Sequence, residues 1–173
     1  MKKCLIVVDY QVDFVTGSLG FERAKELEPI IADKIEKYRA EGAEIIFTLD
    51  THQPDYLATL EGRILPIEHC IEYTKGHELY GRIKSMVQKN DKIFKKCTYG
   101  SEGLFDYLRK SSLEEIELCG LVSNICVLSN AVLAKTALPE ARLIVDSKAT
   151  DSNDESLHTS ALSIMRGLGI DII

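Results

Sequence analysis

No basic stretch in this 173-residue chain is longer than a dipeptide, and the net charge is -6 with a pI near 5.3. A nucleic-acid backbone or an anionic membrane surface would find little to hold, so neither is expected as a partner. No apolar run approaches bilayer-spanning length. The apolar run after Lys2 and Lys3 stops at Asp9 without a small-residue cleavage site, which argues against a signal peptide. Five cysteines, Cys4, Cys70, Cys97, Cys119 and Cys126, form an odd set with no CxxC spacing. That disfavours a disulfide framework and fits reduced thiols in a cytoplasm. Repeats, linkers and low-complexity segments are absent too. What is present, at 45% hydrophobic content, is enough for one domain over residues 1–173 that buries roughly two-thirds of its unfolded surface.

Apolar runs of strand length alternate with amphipathic runs of helix length. "CLIVV", "AEIIFTLD", "KIFK", "EIELCG", "ARLIVDS" and "IDII" read as six strands. Between them, "EPIIADKIEKYRAEG" puts Ile30, Ile31, Ile35 and Tyr38 on one helical face, with Pro29 near its start and Gly42 as a left-handed cap. Further helices are expected near Tyr80–Gln88, Leu104–Lys110 and Asn124–Leu138, and a last one opened by a capping box from Ser152 to Glu155. Near-continuous apolar strands imply an α/β fold, a doubly wound, mostly parallel sheet of six strands covered by helices on both faces. Ligands in such folds bind outside the carboxyl ends of the strands, so the polar residues that terminate strands are the candidates for chemistry.

Asp9 is the first charge after the first strand; alone it is equally a solvated carboxylate. After the second strand, Asp50 and His52 stand two apart in an extended segment and can present an oxygen and a nitrogen to one point. Glu61 and His69 lie in a long loop from Thr51 to about Gly76 and can fold back to complete a metal site. Each histidine singly is an ordinary hydrogen-bonding residue; their joint position at the functional edge points to a metal. Lys95 and Lys96 end the third strand, and one of them can pair with Asp9. Cys97 beside them is a decoy nucleophile, since no helix begins at it. Free cysteine is usually an inert small hydrophobe. Cys126, however, follows a turn at "LVSN" into a helix, where unpaired N–H groups stabilise a thiolate and can receive an oxyanion.

The set "DYQVDF", "DTH", "LPIEHC", "KCTYGS" and "GLVSNICVLSNA", in this order over nearly the whole chain, resembles the isochorismatase-like cysteine hydrolases, and within them the nicotinamidase branch. The resemblance implies a triad in which Asp9 is the general base, Lys96 supports it and Cys126 is the nucleophile. Lys96 is preferred to Lys95 because the family's K-x-T pattern falls on Lys96 and Thr98. It implies backbone N–H groups of Val122 and Cys126 as oxyanion donors and a cis peptide between Val122 and Ser123. Asp50, His52, Glu61 and His69 match the ligands of one divalent metal ion; two nitrogens and two carboxylates suit zinc first, with manganese or iron as alternatives. Phe14 and Tyr99 match positions lining a ring pocket, and Leu65, where many relatives carry an aromatic residue, weakens that wall. Glu61 stands where other relatives have a histidine, and "SNIC" replaces the commoner "TDYC".

The implied activity is hydrolysis of nicotinamide to nicotinate and ammonia through a thioester, a step of NAD salvage, with a small-molecule amide as partner and a homo-oligomer compatible with the sequence. A related cysteine amidohydrolase acting on another carboxamide or an N-carbamoyl or ureido compound is the runner-up; its carboxylate substrates would want an arginine and no metal set. A receiver-like phosphoacceptor module, suggested by Asp9, Asp50 and Lys148, is disfavoured because Asp50 is coupled to His52. Isochorismate ether hydrolysis does not use the cysteine and is disfavoured as well.

Overall fold

In the computed structural model, which describes residues 1–173, the six strands are β1 (Lys3–Val8), β2 (Glu44–Asp50), β3 (Lys92–Lys96), β4 (Glu115–Leu121), β5 (Arg142–Asp151) and β6 (Asp171–Ile172). They form one sheet in the order β3-β2-β1-β4-β5-β6, and every pairing is parallel. The apolar runs explain this arrangement. Every residue of β4 is buried and β1 and β2 are buried after their first residue, so both faces of the central strands need cover. At the edge, β3 alternates exposed and covered positions instead.

Helices α1 (Val12–Val15), α2 (Glu22–Ala40), α3 (Leu60–Ile64), α4 (Gly81–Met86), α5 (Glu102–Leu108), α6 (Leu128–Ala137) and α7 (Glu155–Gly167) supply that cover. Leu5, Val7 and Phe47 pack with Ile31, Ile35 and Ile83 under α2 and α4. On the other face Ile6, Val8 and Ile46 meet Leu104, Ala131 and Met165 under α5, α6 and α7. Each fully buried aliphatic side chain contributes about 1.5–3 kcal/mol of transfer free energy.

Several boundaries differ from the sequence expectation. The stripe of α2 continues backward through Leu27 and Ala24, so the helix starts at Glu22 and Pro29 lies in its interior. Pro29 is on the exposed face, where water can reach the Lys25 carbonyl that the proline leaves without a donor. The last helix is capped by Asp154, whose carboxylate accepts from the Leu157 N–H at 3.0 Å, and not by Ser152; the Ser152 hydroxyl instead accepts from the Asp154 N–H at 3.2 Å. The stretch after Thr51 is not structureless, since it carries α3 and two short 3-10 turns, Tyr56–Ala58 and Lys75–His77.

The strand order reverses between β1 and β4, and the crevice of a doubly wound sheet opens at that point. Gly120 marks the closest approach there. Its φ is +108°, and a Cβ would collide with the carbonyl of Val8 on the neighbouring strand. Strain and overpacking at such a position cost on the order of 2–3 kcal/mol together. We predict that Gly120→Ala lowers stability by at least about 2 kcal/mol in urea unfolding. An unchanged midpoint would contradict this tight junction of β1 and β4.

Candidate active site

The register of the sheet brings the charged strand ends together. Asp50 pairs directly with Lys96 across β2 and β3, and Asp9 follows Val8, which pairs with Thr48. The Asp9 N–H donates to the Thr48 carbonyl at 3.2 Å, and Asp9 then turns with φ 45°, leaving the strand direction. Its Oδ1 accepts from the Thr48 hydroxyl at 2.7 Å and its Oδ2 lies 2.7 Å from Lys96 Nζ. The same Nζ lies 3.1 Å from Asp50 Oδ1, 2.9 Å from the Thr98 carbonyl and 3.5 Å from Cys126 Sγ. Lys95, one residue earlier, points the other way and pairs with Glu72 at 2.6 Å. Cys97 is exposed and outside this cluster, whereas Cys126 is buried within it.

The electrostatics follow from burial against pairing. Burial opposes the charge on Lys96, but Asp9, Cys126 and Asp50 together hold its ammonium well above the ordinary lysine value. Burial also opposes the charge on Asp50, and hydrogen bonds from His52 and His69, with Lys96 nearby, outweigh it and hold that carboxyl well below the usual range. At Asp9 burial wins: its carboxyl is raised, Lys96 pulling against that and Asp50 adding to it.

Cys126 departs from the expectation of a thiolate at a helix start. It is the fourth residue of a π-helical turn, Ser123–Val127, and regular helix begins only at Leu128. Burial pushes its thiol well up, and the neighbouring carboxylate of Asp9 raises it further while Lys96 lowers it. The resting group is therefore a neutral thiol that accepts from Lys96 Nζ at 3.5 Å, and it would have to lose its proton before it could attack a carbon. The cis peptide lies between Leu121 and Val122, one bond earlier than the resemblance implies. Leu121 is the last residue held in the sheet, paired to Asp151, so the reversal falls directly after it. The Val122 N–H makes no hydrogen bond within the chain, and the Ile125 and Val127 N–H groups both converge on the Val122 carbonyl.

Beside the thiol, Asp50, His52 and His69 present ligand atoms that all lie within 4.8 Å of one another, and all three residues are buried. His52 Nε2 is 3.1 Å and His69 Nε2 is 3.4 Å from Asp50 Oδ2. His69 Nδ1 donates to the Ile67 carbonyl at 2.8 Å, so Nε2 is the nitrogen that points inward, where its proton bonds Asp50 or, once released, leaves a lone pair for a cation. Buried lone pairs converging on one point are what a cation satisfies, and the donor set suits a borderline divalent ion. Glu61 stands at the edge of the cluster, Oε1 3.9 Å from His52 Nε2, and is not drawn into the tight group of three. Phe14 packs on His69 at 5.6 Å between ring centroids, and Tyr99 is half exposed, its phenol raised by partial burial and by the charge of Glu61. Leu65 ends α3, its carbonyl accepting from the Tyr56 hydroxyl at 2.9 Å.

Sequence reasoning misses the residues that hold this arrangement. Buried Gln11 clamps the Asp50 backbone on both sides: its Oε1 accepts from the Asp50 N–H at 2.8 Å and its Nε2 donates to the Asp50 carbonyl at 2.9 Å. The Tyr56 ring wedges against His52 and His69, centroids 4.6 and 4.9 Å away. Asn130 ties the Cys126 turn to the loop after β3, donating to the carbonyls of Cys126 at 2.8 Å and Tyr99 at 3.1 Å. A buried polar residue inside an apolar helix is the one signal that marks Asn130 in advance.

Fold and site together define an α/β protein with a buried cysteine, a carboxylate and a lysine at the sheet's switch point. Residues 3–173 match the isochorismatase domain, and the chain belongs to that family. The crystal structure of nicotinamidase/pyrazinamidase PncA from Bacillus subtilis is similar with a TM-score of 0.89 at 31% identity, covering 99% of both chains. A nicotinamidase/pyrazinamidase from Mycobacterium tuberculosis is 26% identical over 99% of this chain and 98% of its own length. The pyrazinamidase of Pyrococcus horikoshii in complex with zinc superposes with a TM-score of 0.88 at 26% identity, covering 100% of this chain and 99% of that one.

Removing Lys96 would leave two buried carboxylates facing each other, a loss of about 3–5 kcal/mol for an uncompensated buried charge. A carboxyl raised in the folded state, as Asp9 is, adds stability below its unfolded value and loses it as pH rises through the folded value. Without Lys96 that rise is larger, so Lys96→Met should cost more stability at pH 8 than near pH 5 when both proteins are unfolded in chelator. An equal cost at the two pH values would contradict the ion-pair account.

Proposed function

We propose that the chain is a metal-containing cysteine amidohydrolase that converts nicotinamide to nicotinate and ammonia. The observation that carries this reading is the sharing of Asp50: one oxygen meets Lys96, which supports Asp9 and Cys126, and the other meets the two histidines. The thiol machinery and the cation site are thereby joined at one side chain. Similarity to nicotinamidases over the full chain supports the same substrate.

In this mechanism Asp9 takes the Cys126 proton, and the sulfur forms a bond to the amide carbon. The carbonyl oxygen becomes an oxyanion held by the backbone N–H groups of Val122 and Cys126. Asp9 returns its proton to the nitrogen, the C–N bond breaks and ammonia leaves. Water then gives a proton to Asp9 while its oxygen attacks the thioester carbon. The C–S bond breaks, Asp9 protonates the departing sulfur, and the acid leaves. Lys96 remains charged throughout and keeps the proton cycling between Asp9 and its partners. Asp50, His52 and His69, with Glu61 beside them, would hold a divalent ion, zinc before manganese or iron, which when bound would supply Lewis acidity toward the substrate's ring nitrogen and water. Phe14 and Tyr99 flank the flat ring, with Leu65 nearby.

The runner-up, an N-carbamoyl or ureido hydrolase, needs a cation for its substrate's carboxylate. Lys96, the cation of this site, is already engaged by two carboxylates.

Ammonia release tests the reading. Cys126→Ala should lower it by several orders of magnitude while Cys97→Ala leaves most of it; the reverse pattern would sink the assignment. Elemental analysis of protein purified without chelator should find one divalent ion per chain, reduced in His52→Ala together with a raised KM. Full metal content and an unchanged KM in that variant would show the cluster to be something else. Benzamide keeps ring and amide but lacks the ring nitrogen, so its hydrolysis as efficiently as nicotinamide's would overturn the anchoring role.

A further inference from the structure

The turn that carries Cys126 has a hydrogen-bonded support from α7. Ser123, fully buried, begins the π-helical turn directly after Val122, whose N–H is without a partner in the chain. The Ser123 hydroxyl lies 2.9 Å from Nδ1 of His158, in the first turn of α7. Asp151 Oδ1 lies 3.9 Å from the same nitrogen. Asp151 is in turn fixed by Arg23 of α2, Nε to Oδ2 at 2.8 Å and Nη2 to Oδ1 at 3.2 Å, while Nη2 also donates to the Ser152 carbonyl at 2.7 Å.

These contacts hold both ends of one short segment. Leu121 is paired in the sheet to Asp151, and Ser123 is bonded to His158. Between them sits Val122 with its free N–H. A donor aimed at a developing charge is useful only if it does not move when the charge appears, because its benefit comes from orientation set beforehand. Ser123 has no other side-chain hydrogen bond, so without His158 its buried hydroxyl would be unpaired and free to draw the turn into another arrangement.

We propose that His158 is a positioning residue for the hydrolytic reaction: through Ser123 it fixes the Leu121–Ser123 segment so that the Val122 N–H faces the transition-state oxyanion. His158 makes no side-chain hydrogen bond to Asp9, Asp50, His52, His69, Lys96 or Cys126, so it acts through Ser123. The inference rests on the amidohydrolase reading and extends it to a residue on α7, outside the set of strand ends.

The test is steady-state kinetics of the metal-loaded enzyme with nicotinamide, alongside metal content and thermal unfolding of each variant. His158→Ala should lower kcat by about ten- to a hundredfold with KM within about twofold, since the segment acts on the transition state more than on bound substrate. Metal content should be unchanged. His158→Asn places an amide donor or acceptor where Nδ1 stands and should restore most of kcat, whereas His158→Gln, whose amide reaches the Nε2 position, should not. Ser123→Ala should resemble His158→Ala, and the double variant should be no worse than either alone. A kcat within twofold of wild type in His158→Ala, equal rates in the Asn and Gln variants, or additive losses in the double variant would overturn the proposal. Should His158→Ala fail to fold, the Asn–Gln comparison decides alone. An inactive wild type would remove the amidohydrolase reading, a result distinct from an active wild type indifferent to residue 158.

Discussion

One buried ammonium group sits between two buried carboxylates, Lys96 Nζ 2.7 Å from Asp9 and 3.1 Å from Asp50, and most of the site's chemistry depends on it. Taking three charges out of water carries a desolvation cost of several kcal/mol each, which their attraction repays only with close geometry and further hydrogen bonds. The structure provides both. Thr48 donates to Asp9, the Thr98 carbonyl accepts from Lys96, and the histidines face the outer oxygen of Asp50. The net charge of the triplet is negative, and the thiol that it faces is kept neutral at rest by burial and by the carboxylate of Asp9.

The parallel sheet makes this convergence possible. Adjacent strands in register bring Asp50 to Lys96 across one ladder, and the neighbouring strand delivers Asp9. From the other side of the switch point, β4 ends at Gly120 and Leu121 and hands the chain to the turn that carries Cys126. None of these side chains is on a free loop. Gln11 pins the backbone of Asp50, Asn130 pins that of Cys126, and Tyr56 fills the space behind the histidines. Such support would hold reacting groups to the small tolerances that the proposed acyl transfer demands.

Much of this is legible in the sequence, for identifiable reasons. Buried parallel strands read as unbroken apolar runs, so the strands and the polar residues ending them, Asp9, Asp50 and Lys96, stand out directly. Cys126 stands out by its place after a strand and a turn. The extended start of α2 is also present in the spacing of Ala24 and Leu27, but Pro29 masks it because an exposed helical proline looks like a boundary. Other features are not local. The π-helical form of the Cys126 turn and the position of the cis bond reflect how β4 leaves the sheet beside β5. Gln11, Asn130 and His158 act through hydrogen bonds to residues far along the chain, and no spacing rule encodes those partners. The choice of Asp154 over Ser152 as helix cap turns on a difference of two residues between equally suitable side chains.

In the proposed mechanism the buried thiol, and no other, carries the acyl group during turnover. Acid-quenching the enzyme during turnover of nicotinamide, followed by proteolysis and mass spectrometry under conditions that preserve thioesters, measures this directly. The account predicts a nicotinoyl group on the peptide containing Cys126 that disappears when substrate is exhausted. Turnover with no acylated cysteine, or with the acyl group on Cys97, would contradict it.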